Sequence, residues 1–159
     1  MEGGESRIED EARRAVASIG SPLDPDDERA IQRLILAYGL CVDFALVDEV
    51  VDLFTPDAVW DGRELRFPLC RGTEEIRAQF ERECSPELRQ VHVMEPPLLA
   101  ASSEPDVATG LVPFNALRGI DGGIRAGQHT YGMYSDRYRR DAEGWKFERR
   151  TLRLRLVRK

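Results

Sequence analysis

Asp43 stands in the apolar stretch Leu40-Cys41-Val42-Asp43-Phe44-Ala45-Leu46. A carboxylate buried there is unfavourable unless a hydrogen-bond donor meets it, and buried ionisable groups concentrate at functional sites. The alternative places Asp43 toward solvent or on a backbone group that it caps. Tyr38 precedes it by five residues, about 140° around a helix, so both side chains can flank one cavity without stacking. The chain has two histidines, His92 in Gln90-Val91-His92-Val93-Met94 and His129 in Gln128-His129-Thr130-Tyr131. A carboxylate bonded to one imidazole nitrogen fixes the tautomer and raises the basicity of the other, which makes a general base. Each residue also has a plainer role: His92 as a satisfied core histidine, Tyr38 as a core aromatic, His129 as a surface histidine.

Other chemistries lack their signatures. No Gly-rich phosphate loop, nucleophile elbow, His-x-x-x-His or cysteine cluster occurs, so neither metal nor cofactor is expected. Cys41, Cys70 and Cys84 are an odd number without metal-ligand spacing, which fits reduced thiols. The 159 residues carry 23 basic and 29 acidic groups, for a net charge of −6. A net acidic chain argues against nucleic acid as the main partner. The segment RRTLRLRLVRK holds six of the basic groups, which leaves 17 against 29, or −12, elsewhere. It is read as a half-buried strand with a solvated or paired charged face, in preference to a polyanion site. No apolar run is long enough to span a bilayer, and the acidic start MEGGESRIEDEARR is unlike a signal peptide. A cytoplasmic protein is the expectation, with no membrane partner.

The elements that would position these groups follow from periodicity. Ile8, Ala12, Ala15, Val16 and Ile19 have helical spacing, before GSPLDPDD interrupts them. Residues 1–24 are therefore expected as an acidic, partly helical or disordered extension, and 25–159 as one domain. Asp24-Pro25 is a helix start. Behind it, Ile31, Leu34, Ile35, Tyr38, Val42 and Ala45 share a face. An apolar stretch runs from Val47 to Phe54, a brief strand covers Ala58-Val59-Trp60, and a second capped helix opens at Gly72-Thr73. From residue 88 the pattern is extended: Gln90 to Ala101, Val107 to Leu117, Gly127 to Arg139 and Trp145 to Val157. Turns are expected at Asp106, Gly119 to Gly123 and Asp141 to Gly144. Helices followed by a strand meander give an α+β fold, with helices on one face of an antiparallel sheet.

Two phrases then carry a family resemblance. Tyr38 and Asp43 are followed by Leu53-Phe54-Thr55-Pro56-Asp57-Ala58-Val59-Trp60, and Gly132-Met133-Tyr134-Ser135-Asp136-Arg137-Tyr138 by Gly144-Trp145-Lys146-Phe147. Their order and spacing, over residues 27 to 157, resemble the SnoaL-like branch of the nuclear-transport-factor-2-like superfamily. The resemblance implies a strongly bent, cystatin-like sheet wrapped on helices around an apolar, cone-shaped pocket. Scytalone dehydratase, hexachlorocyclohexane dehydrochlorinase, bile-acid 7α-dehydratase and polyketide cyclases have this fold, as do non-catalytic members and enzyme subunits.

The resemblance also implies roles. His92 matches the strand histidine that pairs with the helix aspartate, here Asp43, and Tyr38 matches a tyrosine of the bile-acid dehydratase. Asn115 stands where that enzyme has an acidic residue, so it can orient a substrate but not supply a proton. Arg149 is the candidate for an arginine that some relatives carry on the last strand; Arg150, one residue on, faces the other way. Trp60, Phe67, Phe114 and Tyr131 are candidate apolar walls, with His129 at the mouth. The reading is a cofactor-independent lyase (dehydratase) or isomerase acting on a hydrophobic ring compound of polyketide, terpenoid or steroid-like type. The alternative is a non-catalytic small-ligand-binding or accessory subunit. Relatives with the Asp–His pair are often trimers, so a homo-oligomer, dimer or trimer, is expected.

Overall fold

The computed structural model describes residues 3–85, 87–120 and 123–158. Its helices are α1 (Gly3–Ala17), α2 (Pro25–Asp43), α3 (Val47–Asp52) and α4 (Gly72–Glu83). Its strands are β1 (Phe54–Asp61), β2 (Leu69–Arg71), β3 (Arg89–Met94), β4 (Leu98–Ala101), β5 (Val107–Ile120), β6 (Gly123–Asp141) and β7 (Gly144–Arg158). Of the expected turns, Asp121-Gly122 lies outside the described residues.

The start and stop of α2 are both written in its sequence. Asp24 accepts a hydrogen bond from the Asp26 N–H at 2.9 Å, and Pro25 occupies the first turn, where its missing N–H leaves nothing unpaired. The expected face is buried through Ile31, Leu34, Ile35, Tyr38 and Val42. Ala45 falls outside the helix. Its φ of 55° is left-handed, and the N–H groups of Leu46 and Ala45 donate to the carbonyls of Cys41 (2.8 Å) and Val42 (3.3 Å). These are the two bonds of a Schellman cap, a position usually held by glycine. The cap stops the helix at Asp43.

Helix α4 starts differently from its expectation. Thr73 does not cap it; the Arg71 N–H donates to Glu75 at 2.8 Å instead.

The sheet has the strand order β2-β1-β7-β6-β5-β3, with β4 also paired to β5. It is antiparallel except where β1 runs parallel to β7. The segment from Gln90 to Ala101, expected as one strand, is divided at Pro96-Pro97. Prolines cannot donate to a ladder, so β3 and β4 line up end to end on β5, bridged by Glu95 N–H to Pro113 O at 2.9 Å. The brief strand expected at Ala58 to Trp60 is the centre of the longer β1. Irregular steps at Tyr131/Gly132 and Arg137/Tyr138 interrupt the β6–β7 ladder, and such bulges bend long strands. The result is the curved, open sheet of an α+β fold. Among the described residues, no helix is long and apolar enough to cross a membrane.

The concave side holds the core. At its centre Arg150 is fully buried and faces Asp136 across β6 and β7, with bonds of 3.0 and 2.8 Å. Tyr138 donates to the same carboxylate at 2.7 Å. The guanidinium lies 4.0–4.2 Å from the ring centres of Tyr38, Tyr134 and Phe147. Two arginines of the basic last strand are paired, Arg150 inward to Asp136 and Arg153 to Glu11 of α1 and to Glu64, while Arg149 and Arg155 are exposed.

Because an L-residue in the left-handed region is strained by about 1–2 kcal/mol, Ala45→Gly should stabilise the protein. Allowing for the extra freedom of glycine in the unfolded chain, the net gain is about 0.5–1 kcal/mol. A thermal melt should show a rise of about 1–4 °C.

Candidate active site

Asp43 is the last residue of α2, so its side chain leaves the helix where β3 passes. One carboxylate oxygen accepts the His92 backbone N–H at 2.8 Å; the other lies 2.6 Å from His92 Nδ1. Both side chains are largely buried, 10% and 13% exposed. As a carboxylate Asp43 only accepts, so Nδ1 donates and Nε2 is left with its lone pair. Two further contacts bring β3 to this depth. Gln90 donates its amide N–H to the Val42 carbonyl at 2.7 Å, a carbonyl of the last helical turn that the Ala45 N–H of the cap reaches only at 3.3 Å. Gly39 lies against β3, and a Cβ there would stand 3.2 Å from the Met94 methyl and 3.7 Å from His92 Cβ.

His92 forms part of the wall of a pocket between the sheet, α2 and α4. Its apolar surface comes from Trp60, Phe67, Phe80, Phe114 and Leu152. Tyr38 adds its ring and hydroxyl, which accepts from Trp60 Nε1 at 3.1 Å. Burial pushes the Tyr38 hydroxyl upward, offset by the Arg150 charge and by the Trp60 and Tyr134 donors. Tyr134 is raised further, again by burial. Both phenols therefore remain protonated donors at neutral pH. Cys84 also lines the pocket, and burial raises its thiol, which makes it a poor nucleophile.

The residues singled out from the sequence divide between two faces. Tyr38, Trp60, Phe67, His92 and Phe114 meet at the pocket, with Asp43 behind His92. Asn115, His129, Tyr131 and Arg149 are not among its lining residues. Asn115 alternates with Phe114 and Ala116 and so points to the opposite face, where its side-chain oxygen lies 2.7 Å from His129 Nε2. Tyr131 is the cross-strand partner of Asn115 and is exposed on that face. Arg149 is exposed, and Arg150 is the arginine that faces the core.

Gln79, Tyr134, Thr130, Glu83, Gln90 and Arg118 line the pocket without having been marked by the sequence. For Arg118 the signal was there: it shares the Phe114 and Ala116 phase. Gln79 is 2% exposed; its oxygen accepts from Arg82 at 2.8 Å. Among the described residues, no three His, Cys, Asp or Glu side chains converge as a metal site requires.

Residues 25–151 match the SnoaL-like domain. The chain belongs to the SnoaL-like family. None of the curated proteins matches it. Among solved structures, this SnoaL-like chain is similar to a protein of Novosphingobium aromaticivorans named as an aromatic ring hydroxylase. The two are 26% identical, with 86% of this chain and 95% of that one covered, at a TM-score of 0.76. A protein of the same organism named as a scytalone dehydratase is 21% identical, with 82% and 85% covered and a TM-score of 0.71. A type 2 hexachlorocyclohexane dehydrochlorinase (LinA) is 18% identical, with 82% and 86% covered and a TM-score of 0.70. The last two likenesses concern the fold.

The hydrogen bond from Nδ1 fixes the His92 tautomer, and nitrogen-15 NMR reads it directly. The Nδ1–H form should dominate in the wild type. In Asp43→Asn, whose amide can donate as well as accept, the Nε2–H form should gain population while the melting profile stays cooperative.

Proposed function

We propose that this chain is a cofactor-independent lyase or isomerase that removes a proton from a carbon acid within a hydrophobic ring compound. The observation that carries the reading is the 2.6 Å contact of Asp43 with His92 Nδ1, at the wall of an apolar pocket. His92 Nε2 takes the proton. Asp43 holds the ring and stabilises the imidazolium that forms. Tyr38, whose oxygen already accepts from Trp60, has its own O–H free to donate to the substrate oxygen on which negative charge builds. The apolar walls strengthen that hydrogen bond by excluding water. A leaving group beta to the carbanion departs and gives an alkene, a dehydration when the group is hydroxide. Without one, the proton returns elsewhere and the outcome is isomerisation. The related structures named as a scytalone dehydratase and a dehydrochlorinase perform eliminations by name, which agrees with this class.

Proton abstraction is measurable without knowing the leaving group. With 1-tetralone as a carbon-acid probe in deuterium oxide, the wild type should accelerate exchange of the α-hydrogens, followed by NMR. His92→Ala and Asp43→Asn should lower the rate by about 10²–10⁴ and at least tenfold respectively. A folded His92→Ala protein that exchanges as fast as wild type overturns the reading.

The convex face of the sheet exposes Val91, Val93, Leu117, Tyr131 and Leu156 around the Asn115–His129 bond. We read it as the contact with further copies of this chain, since β3, β5, β6 and β7 each expose apolar side chains around that bond. Light scattering should return a multiple of 18.0 kDa, and Leu117→Lys should restore the monomer.

A further inference from the structure

Among the residues lining the pocket, one is an arginine, and its ion pair is a long one. Arg118 reaches from β5 to the C-terminal end of α4, where it donates to the Glu83 carboxylate at 3.3 and 3.4 Å and to the Glu83 carbonyl at 3.1 Å. Its 3.3 Å ion pair is the longest among the described residues; the buried Arg150–Asp136 pair measures 2.8 Å. Charge-assisted bonds of good geometry are about 2.7–2.9 Å, so Glu83 holds Arg118 weakly. The guanidinium is half-buried, with one third of its side chain exposed. It therefore stands at the boundary between apolar wall and solvent, where an ion keeps part of its hydration yet gains from a partner.

Its place relative to His92 is fixed by the ladder. His92 pairs with Ala116 and Gln90 with Arg118, so His92 and Arg118 are diagonal neighbours on the same face of the sheet, their backbone positions about 7–8 Å apart.

We propose that the pocket takes apolar ring compounds bearing a carboxylate, with the ring system against Phe114 and Phe80 and the carboxylate on Arg118. The planar guanidinium fork matches a carboxylate with two parallel bonds, and the ligand displaces the side chain of Glu83 while the Glu83 carbonyl keeps its contact. This deepens the lyase reading and rests on the same pocket being the substrate site. It supplies what the apolar walls cannot: a fixed end-to-end orientation, so that one particular C–H bond meets His92.

Binding of 2-naphthoate and of its neutral isostere 2-naphthamide, measured by calorimetry on the full chain, tests this. Wild type should bind the acid at least about tenfold more tightly than the amide, with the difference shrinking as salt is added. Arg118→Gln should abolish the preference while leaving amide affinity unchanged, and Glu83→Gln should strengthen acid binding several-fold by freeing the guanidinium. The preference should persist in His92→Ala, which separates selectivity from proton transfer. Loss of turnover chemistry in the exchange assay alone would leave this result standing. Equal affinities in wild type, a preference that survives Arg118→Gln, or binding of neither probe overturns the proposal. If Arg118 only ties α4 to β5, Arg118→Gln and Glu83→Gln lower the melting temperature alike without changing selectivity.

Discussion

A permanent positive charge sits at the centre of this domain, and the surrounding structure is arranged to hold it. Arg150 is fully buried, and desolvation of an unpaired ion there would be worth several kcal/mol. Asp136 neutralises it from the neighbouring strand, Tyr138 completes that carboxylate, and three aromatic faces close over the guanidinium. Two of those rings, Tyr38 and Tyr134, also line the pocket. The same cation that fixes the rings also favours hydrogen-bond donation by both phenols. Support of the core and tuning of the pocket are one interaction.

Around that centre, the candidate site is assembled by the meeting of a helix end and a strand. The left-handed Ala45 stops α2 directly after Asp43, the glycine at 39 admits β3, and Gln90 ties down a terminal carbonyl. His92 is thereby gripped by its backbone and by its ring through a single carboxylate. This gives orientation without a loop: the proposed base stands on a sheet edge and its partner on a helix, both rigid elements.

The start of α2 and the need of Asp43 for a partner were legible in the sequence because their signals are local or energetic, whereas the choice of His92 came from the family resemblance and α3 was read only as an apolar stretch. Asp24-Pro25 marks a helix start by backbone chemistry, and a carboxylate among apolar residues asks for a donor wherever it ends up. The phase of the long strands was less legible. Phe114 and Asn115 were both proposed for the pocket, yet the side chains of successive strand residues point to opposite faces. Placing Asn115 on the convex face carries its cross-strand partner Tyr131 with it, and Asn115 bonds His129 there. On β7 the choice between Arg149 and Arg150 depended on where the bulges fall, and a shift of one residue exchanges the faces. Nothing local to Arg149-Arg150 states which side of the sheet Asp136 occupies. The division at Pro96-Pro97 was readable in principle, since paired prolines break any ladder.

The parallel contact between β1 and β7 has a temporal side. Phe54 and Trp60 are the partners of Phe147 and Arg150, residues that leave the ribosome some ninety positions later. Until then β1 has only the three-residue β2 beside it, and Tyr38 and Phe54 have no Phe147 to pack on. The helices can form as they emerge, but the sheet closes only after most of the chain has been made. Such long-range pairing slows folding and prolongs the exposure of apolar surface. A nascent chain of this design depends on its last hairpin, and on whatever shields its unfinished sheet until that hairpin arrives.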